Sequence, residues 1–160
     1  EKDQFFRQQL LWGDVHDEGT SMFGGVAGHA GLFSTAYDLS MLYQMLLNGG
    51  EINGERILNA ETINYFTKYH SGVSRRGLGF DKPEKDNDTR AEPYPSKYAS
   101  AATYGHTGYT GIGLWVDPKY KLIFIFLSNR VYPPRENSKF SQLNIRSKIQ
   151  DALYTAIGAR

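Results

Sequence analysis

Residues 112–129 place the tightest limits on what this chain can fold into. Ile112, Leu114 and Val116 alternate with Gly113, Trp115 and Asp117, the period-two pattern of a half-buried strand. Pro118-Lys119-Tyr120 turns the chain. Leu122-Ile123-Phe124-Ile125-Phe126-Leu127 then follows as an unbroken apolar run, which reads as a strand buried on both faces. Two strands, 112–117 and 121–129, joined by so short a turn form an antiparallel hairpin.

The remaining periodic segments read as helices that cover this hairpin. Thr35 is a cap with Asp38 three residues on, and Leu39, Leu42, Tyr43, Leu46 and Leu47 share one helical face before Gly49-Gly50 ends the helix. Asn59 caps a shorter helix with Ile63 and Phe66 on its inner face. Ile145, Ile149, Ala152, Leu153, Ala156 and Ile157 recur at helical spacing and would lay a closing helix on the sheet. Residues 1–31 are glycine-rich and read as irregular. Residues 81–98 carry Pro83, Pro93 and Pro95 and almost no apolar content, which predicts a surface loop too polar to pack. Segregated helices and antiparallel strands make the class α+β, an antiparallel sheet flanked by helices.

Composition narrows the function classes. The sequence has 160 residues, 40% hydrophobic and 14% aromatic, which suits one globular domain. A net charge of +1 is scattered along it, with Arg75-Arg76 the nearest approach to a basic cluster, so no nucleic-acid partner is expected. The apolar run 122–127 is far too short to span a bilayer. There is no cysteine, hence no disulfide or thiol chemistry, and this says little about compartment. Glu1-Lys2-Asp3-Gln4 is not a signal peptide. Nothing in the residues calls for a cofactor.

Three groups of residues are candidates for chemistry. Tyr104-Gly105-His106-Thr107-Gly108-Tyr109-Thr110-Gly111 stands just before the hairpin. It would offer a polar side chain, a hydroxyl and open backbone at one surface, with Gly108 letting a carbonyl approach and the Tyr109 N–H free for an oxyanion. A tight turn with a structural histidine explains the same residues. The second group is His16, Asp17 and Glu18 with His29, for which loop-locking hydrogen bonds, substrate contact and a metal site all stand open. No His-Glu-x-x-His helix is present, and no metal is expected. The third is Ser128-Asn129-Arg130, either facing a pocket where Arg130 grips a carboxylate or simply ending a strand. His70 follows a helix end beside Ser71-Gly72 and is assigned no function.

The order of these pieces resembles the C-terminal part of the serine beta-lactamase-like family, which includes class C beta-lactamases, penicillin-binding DD-peptidases and related esterases. Residues 28–39, Gly-His-Ala-Gly-Leu-Phe-Ser-Thr-Ala-Tyr-Asp-Leu, look like the family's Gly-Gly-Leu-x-Ser-Thr-x-x-Asp-Leu segment. Gly105-His106-Thr107-Gly108 looks like its Lys-Thr-Gly motif, with His106 where many members carry Lys. Residues 113–118 and 127–130 resemble the two strands that follow, so the likeness runs over residues 13–157. The wording of 13–18 and 24–31 also looks like a branch in Bacteroides-type bacteria where such a domain follows a glycoside hydrolase family 3 domain.

The resemblance implies a partial beta-lactamase or transpeptidase-like fold, with residues 1–160 as the C-terminal segment of one domain. It implies a mechanism in which a serine attacks an acyl carbonyl and water resolves the acyl-enzyme. His106, Thr107, Gly108 and the Tyr109 N–H would serve catalysis, and Asn129, Arg130, His16 and His29 substrate binding. A histidine without fixed charge in the lysine position tilts the expectation toward an esterase or peptidase over a lactamase. The substrate would be a small acyl compound or a peptidoglycan fragment, and the setting the periplasm or cell envelope. Neither Ser-x-x-Lys nor a convincing Tyr-x-Asn occurs in the sequence. The N-terminal half with the nucleophile is therefore an expected partner, and the 160 residues alone an inactive piece. A sheet left exposed by that absence would favour oligomers. The alternative is a non-catalytic module that binds peptidoglycan or a partner through a degenerate cleft.

Overall fold

A computed structural model of the protein describes residues 1–133, 135, 136 and 138–159. The elements run α1 (Glu18–Met22), α2 (Ala36–Leu47), β1 (Glu51–Ile52), β2 (Glu55–Arg56), α3 (Ala60–Thr67), β3 (Tyr104–Thr107), β4 (Gly113–Asp117), β5 (Leu122–Phe126), α4 (Lys139–Gln142) and α5 (Ile145–Ala156). The predicted hairpin is β4 and β5, in register from Gly113 opposite Phe126 to Asp117 opposite Leu122. β3 adds antiparallel to its other side, Tyr104 opposite Val116 and Thr107 opposite Gly113, giving the order β3-β4-β5. The class is α+β, as the segregated patterns predict.

Strand alternation gives this sheet two unlike faces. Tyr104, His106, Leu114, Val116, Ile123 and Ile125 share one face by register. There Tyr104 and Val116 form a buried cluster with Tyr43 of α2, and Leu46, Leu47, Phe80, Leu114 and Ile123 close around it. Thr107, Gly113, Trp115, Asp117 and Phe124 share the opposite face with Gly105. α5 lies on this side: Tyr154 is fully buried and its hydroxyl donates to Asp117 Oδ2 at 2.8 Å. Gly105 is required where it stands, because a Cβ there would lie 2.0 Å from the Leu114 carbonyl oxygen.

The helix boundaries follow their caps. The Thr35 hydroxyl accepts from the Asp38 amide at 3.1 Å and donates to the Asp38 carboxylate at 2.8 Å, and the Gly50 amide closes α2 on the Met45 carbonyl at 2.8 Å. The Asn59 side chain accepts from the Glu61 amide to start α3.

Several expectations are corrected. Residues 1–31 are not wholly irregular: Asp17 caps the short α1 by accepting from the Thr20 amide at 2.7 Å. Asn53 and Gly54, both at positive φ, join β1 and β2 into a small hairpin that hydrophobic periodicity does not reveal in so short a segment. β5 buries only Phe124 fully, so it is not buried on both faces. On α3 it is Thr67, not Phe66, that joins Ile63 in the interior. α5 turns Gln150 and Tyr154 inward, while Ile149, Leu153 and Ile157 remain 38–52% exposed. The side chain that reaches the sheet is chosen by Asp117, a buried acceptor that draws a hydroxyl.

The excursion at 81–98 also packs, against expectation. Asp81 and Gly105 exchange backbone hydrogen bonds at 2.7 and 3.0 Å, so the segment begins alongside β3. Asn87 Nδ2 donates to the Ser96 carbonyl, and the Tyr94 amide donates to Asn87 Oδ1 at 2.7 Å. Ser96 Oγ donates to Asp151 of α5 at 2.5 Å. Asp81, Lys82, Asn87 and Ser96 are buried. A polar segment can enter an interior when each group finds a partner, and composition alone does not disclose the partners.

Candidate active site

The His-Thr-Gly segment leaves the end of β3 at the rim of the sheet. Pleating sends the His106 and Thr107 side chains to opposite faces, so they do not serve one surface together. His106 is exposed, and Arg76 Nη1 lies 2.9 Å from its Nε2. A guanidinium has no acceptor, so Nε2 takes the hydrogen and the ring proton sits on Nδ1, which donates to the Thr107 carbonyl at 2.7 Å. The fixed cation beside this motif is thus Arg76. The sequence reading left Arg76 out, although the Arg75-Arg76 pair was its one signal.

On the other face, Thr107 Oγ1 lies 3.2 Å from the Tyr94 hydroxyl, which donates to Asp81 Oδ2 at 2.9 Å. Arg75 holds the same carboxylate through Nε at 2.8 Å and Nη2 at 3.1 Å. Burial pushes the Asp81 carboxyl up, but the hydrogen bonds from Arg75 and Tyr94 outweigh it and hold the group below its usual range. Burial pushes the Tyr94 phenol up to about 12. Neither Asp81 nor Tyr94 carries a sequence signal, because both sit in the polar excursion.

Gly108 to Gly111 form the turn between β3 and β4. Gly108 N–H donates to the Ile112 carbonyl at 3.0 Å, and a Cβ on Gly108 would lie 2.5 Å from Ile112 Cγ1. The Tyr109 amide has no hydrogen-bond partner among the described residues, which leaves it available to an oxyanion. Ser128 and Arg130 brace this turn: Ser128 Oγ donates to the Gly111 carbonyl at 2.7 Å, and Arg130 Nε to the Tyr109 carbonyl at 2.5 Å. The Arg130 guanidinium lies over the Tyr109 ring at 4.2 Å, and His16 packs on that ring at 5.4 Å. His16, Tyr109 and Arg130 are therefore brought together. Asn129 is exposed beside them.

His16 Nε2 lies against the Glu1 carboxylate, whose other oxygen accepts from Arg135 Nε at 2.6 Å. The Arg135 hydrogen bond holds the Glu18 carboxyl below its usual range. His29 stands apart, 3.1 Å from both Asp17 Oδ1 and Thr20 Oγ1, and so ties one glycine-rich loop to the cap of α1. The two histidines have separate partners. Among the described residues no group of three or more His, Cys, Asp or Glu is disposed to hold a metal ion.

Comparison with known proteins gives the same frame. A family model described as beta-lactamase matches residues 3–144. A protein of Escherichia coli provisionally named a D-alanyl-D-alanine carboxypeptidase is 40% identical over 129 residues, covering 80% of this chain and 29% of its own length. A Salmonella enteritidis protein with the same provisional name is 37% identical over 134 residues, covering 83% of this chain and 30% of its own. A solved structure from Bacillus anthracis, provisionally named a 6-aminohexanoate-dimer hydrolase, is 25% identical over 79% of this chain and 31% of its own, with a TM-score of 0.49. The chain belongs to the beta-lactamase family. It spans less than a third of the length of the curated relatives it matches.

Proposed function

We propose that these residues form the substrate-facing rim of a serine acyl hydrolase that acts on D-alanyl peptides or related esters through an acyl-enzyme. The observation that carries this is the turn after Thr107. It offers a free Tyr109 amide, held in place by Ser128 and Arg130, in a chain that belongs to the beta-lactamase family. In this reading the Tyr109 N–H stabilises the oxyanion, Thr107 contacts the acyl substrate, and Arg76 beside His106 and Arg130 beside Tyr109 supply positive charge. The provisional names of the relatives support a D-alanyl substrate, and with it a role in cell-wall metabolism at the envelope.

The nucleophile is assigned to the part of the protein that Ser-x-x-Lys would occupy, since the 160 residues contain no such motif. Leu32, Phe33 and Tyr37 before and in α2, and Ile149 and Leu153 on α5 with Ile157 just after it, present apolar surface on which that part would rest.

Intact-mass spectrometry after exposure to a fluorophosphonate and to a penicillin tests the reading. A longer natural polypeptide that includes these residues is expected to label on a serine of Ser-x-x-Lys, and the 160-residue chain to stay unlabelled. A labelled serine within the 160 residues overturns the assignment. Silence from a folded longer polypeptide favours a binding module that keeps the cleft without the chemistry.

A further inference from the structure

We propose that the cavity between α2, α3 and the start of β3 binds a small carboxylate with an aliphatic chain, and that the Lys82 ammonium is its counter-ion. The site lies apart from the acyl-hydrolase rim and does not rest on that reading.

Leu46 and Leu47 of α2, Ile63 of α3, Tyr69, Tyr104 and Pro118 line a cavity of about 490 Å³. That volume falls within the range of about 300–1,000 Å³ usual for small-ligand sites. Tyr104 opens β3 and Pro118 follows β4, whereas the 108–111 turn joins the opposite ends of these two strands. The walls are mostly apolar, yet the buried Lys82 lines the same cavity. All three of its side-chain N–H groups sit on one atom, and two contacts fix where that atom stands. Nζ donates to the Thr103 carbonyl at 3.0 Å and lies 4.7 Å from the centre of the Tyr69 ring, itself part of the cavity wall.

No carboxylate of the described residues pairs with this ammonium. The acid whose charge reaches Lys82 is Asp117, which lies on the α5 face of the sheet, while Tyr104 lies on the α2 face. Asp117 Oδ1 already accepts from the Ser100 hydroxyl at 2.7 Å and the Lys119 amide at 3.1 Å. Its Oδ2 accepts from the Ser100 amide at 3.0 Å and the Tyr154 hydroxyl at 2.8 Å. Glu84, whose charge is felt at Tyr69, is paired with Arg75 at 2.9 Å and Arg90 at 3.2 Å. The other ionisable groups about the cavity are Lys68, the phenols of Tyr69 and Tyr104, and Lys85, 5.7 Å from the Tyr69 ring. Burial raises both phenols, Tyr104 to about 12, so neither supplies a negative charge at pH 7. A buried charge without a counter-ion is costly, and a ligand carboxylate at Nζ would offset that cost. The apolar walls favour an aliphatic chain behind it.

The test is a calorimetric titration of the longer natural polypeptide that includes these residues, with octanoate and with octan-1-ol at matched ionic strength. At pH 7 octanoate is expected to bind about tenfold or more tightly than octanol, the effect of one hydrogen bond to a charged group. Burial pushes the Lys82 pKa down to about 8. The ratio is therefore expected to hold below that pH and to fall as pH rises through it, because the ammonium loses its charge while octanoate keeps its own. Lys82→Met is expected to bring the ratio to one or below at pH 7 and to leave octanol bound. Should that variant not fold, the pH profile of the wild type decides the matter alone. Octanoate bound no more tightly than octanol overturns the proposal. So does a ratio that Lys82→Met leaves unmoved, or one that stays constant as pH rises past 8, and so does binding of neither probe.

Discussion

The two faces of the β3-β4-β5 sheet are held by different physics. Toward α2, Tyr43, Tyr104 and Val116 bury apolar surface, and Phe80 meets Tyr104 edge-on at 5.3 Å. Toward α5, Trp115 and Phe124 share the face with a set of buried polar groups: Gln150, the Tyr154–Asp117 hydrogen bond, and the Thr107–Tyr94–Asp81 chain. An apolar contact tolerates small shifts, whereas a buried hydrogen bond fixes direction and distance. The face built on fixed directions is the one that carries Thr107, and the apolar face serves to hold the sheet.

Substitutions can break or sharpen this contrast. Trp115→Ala is expected to cost about 3–5 kcal/mol, because Trp115 is 2% exposed and nothing else fills its volume. Urea unfolding measures it, and a loss below 1 kcal/mol would mean that the α5 face is not a packed interior. Asp117→Ala should follow at about 3 kcal/mol. It leaves the Tyr154 hydroxyl and the Ser100 amide and hydroxyl without their acceptor. A cost no larger than that of a surface carboxylate would deny the polar face its role.

Lys82 offers a pH-dependent test. Its ammonium is 2% exposed, and burial pushes its pKa down to about 8 although Asp117 opposes this. The folded state therefore holds the proton less tightly than the unfolded chain. Below about pH 8 the full penalty of a buried charge is present, and stability rises with pH from about 8 until the unfolded value of 10.5. Lys82→Met removes the titrating group together with its hydrogen bond to the Thr103 carbonyl, and is expected to flatten that rise. A variant with an unchanged pH profile would show that Lys82 is solvated. The smallest effect is expected at Thr35→Ala, about 1 kcal/mol from loss of the α2 cap, with no effect on the α5 face. Thermal melts with Trp115 fluorescence as the local probe distinguish the two.

Local pattern carried much of this architecture. The β4–β5 hairpin, the cap and glycine stop of α2, the Asn59 cap and the closing helix all follow from neighbours within a few residues, because periodicity and capping are short-range effects. The ordered motifs around His106, Thr107 and residues 28–39 were likewise enough to point to the beta-lactamase family. Which groups meet across the fold was not legible. Arg76 reaches His106 over 30 residues, Ser96 reaches Asp151 over 55, and Tyr94 reaches Thr107 from a segment that composition assigns to solvent. The inward side of α5 was misread for the same reason. Its apolar stripe is a local property, while the burial of Tyr154 goes with a hydrogen bond to Asp117 more than thirty residues away. Hydrophobic period is written along the chain, but hydrogen-bond satisfaction is settled only when distant donors and acceptors are brought within reach of each other.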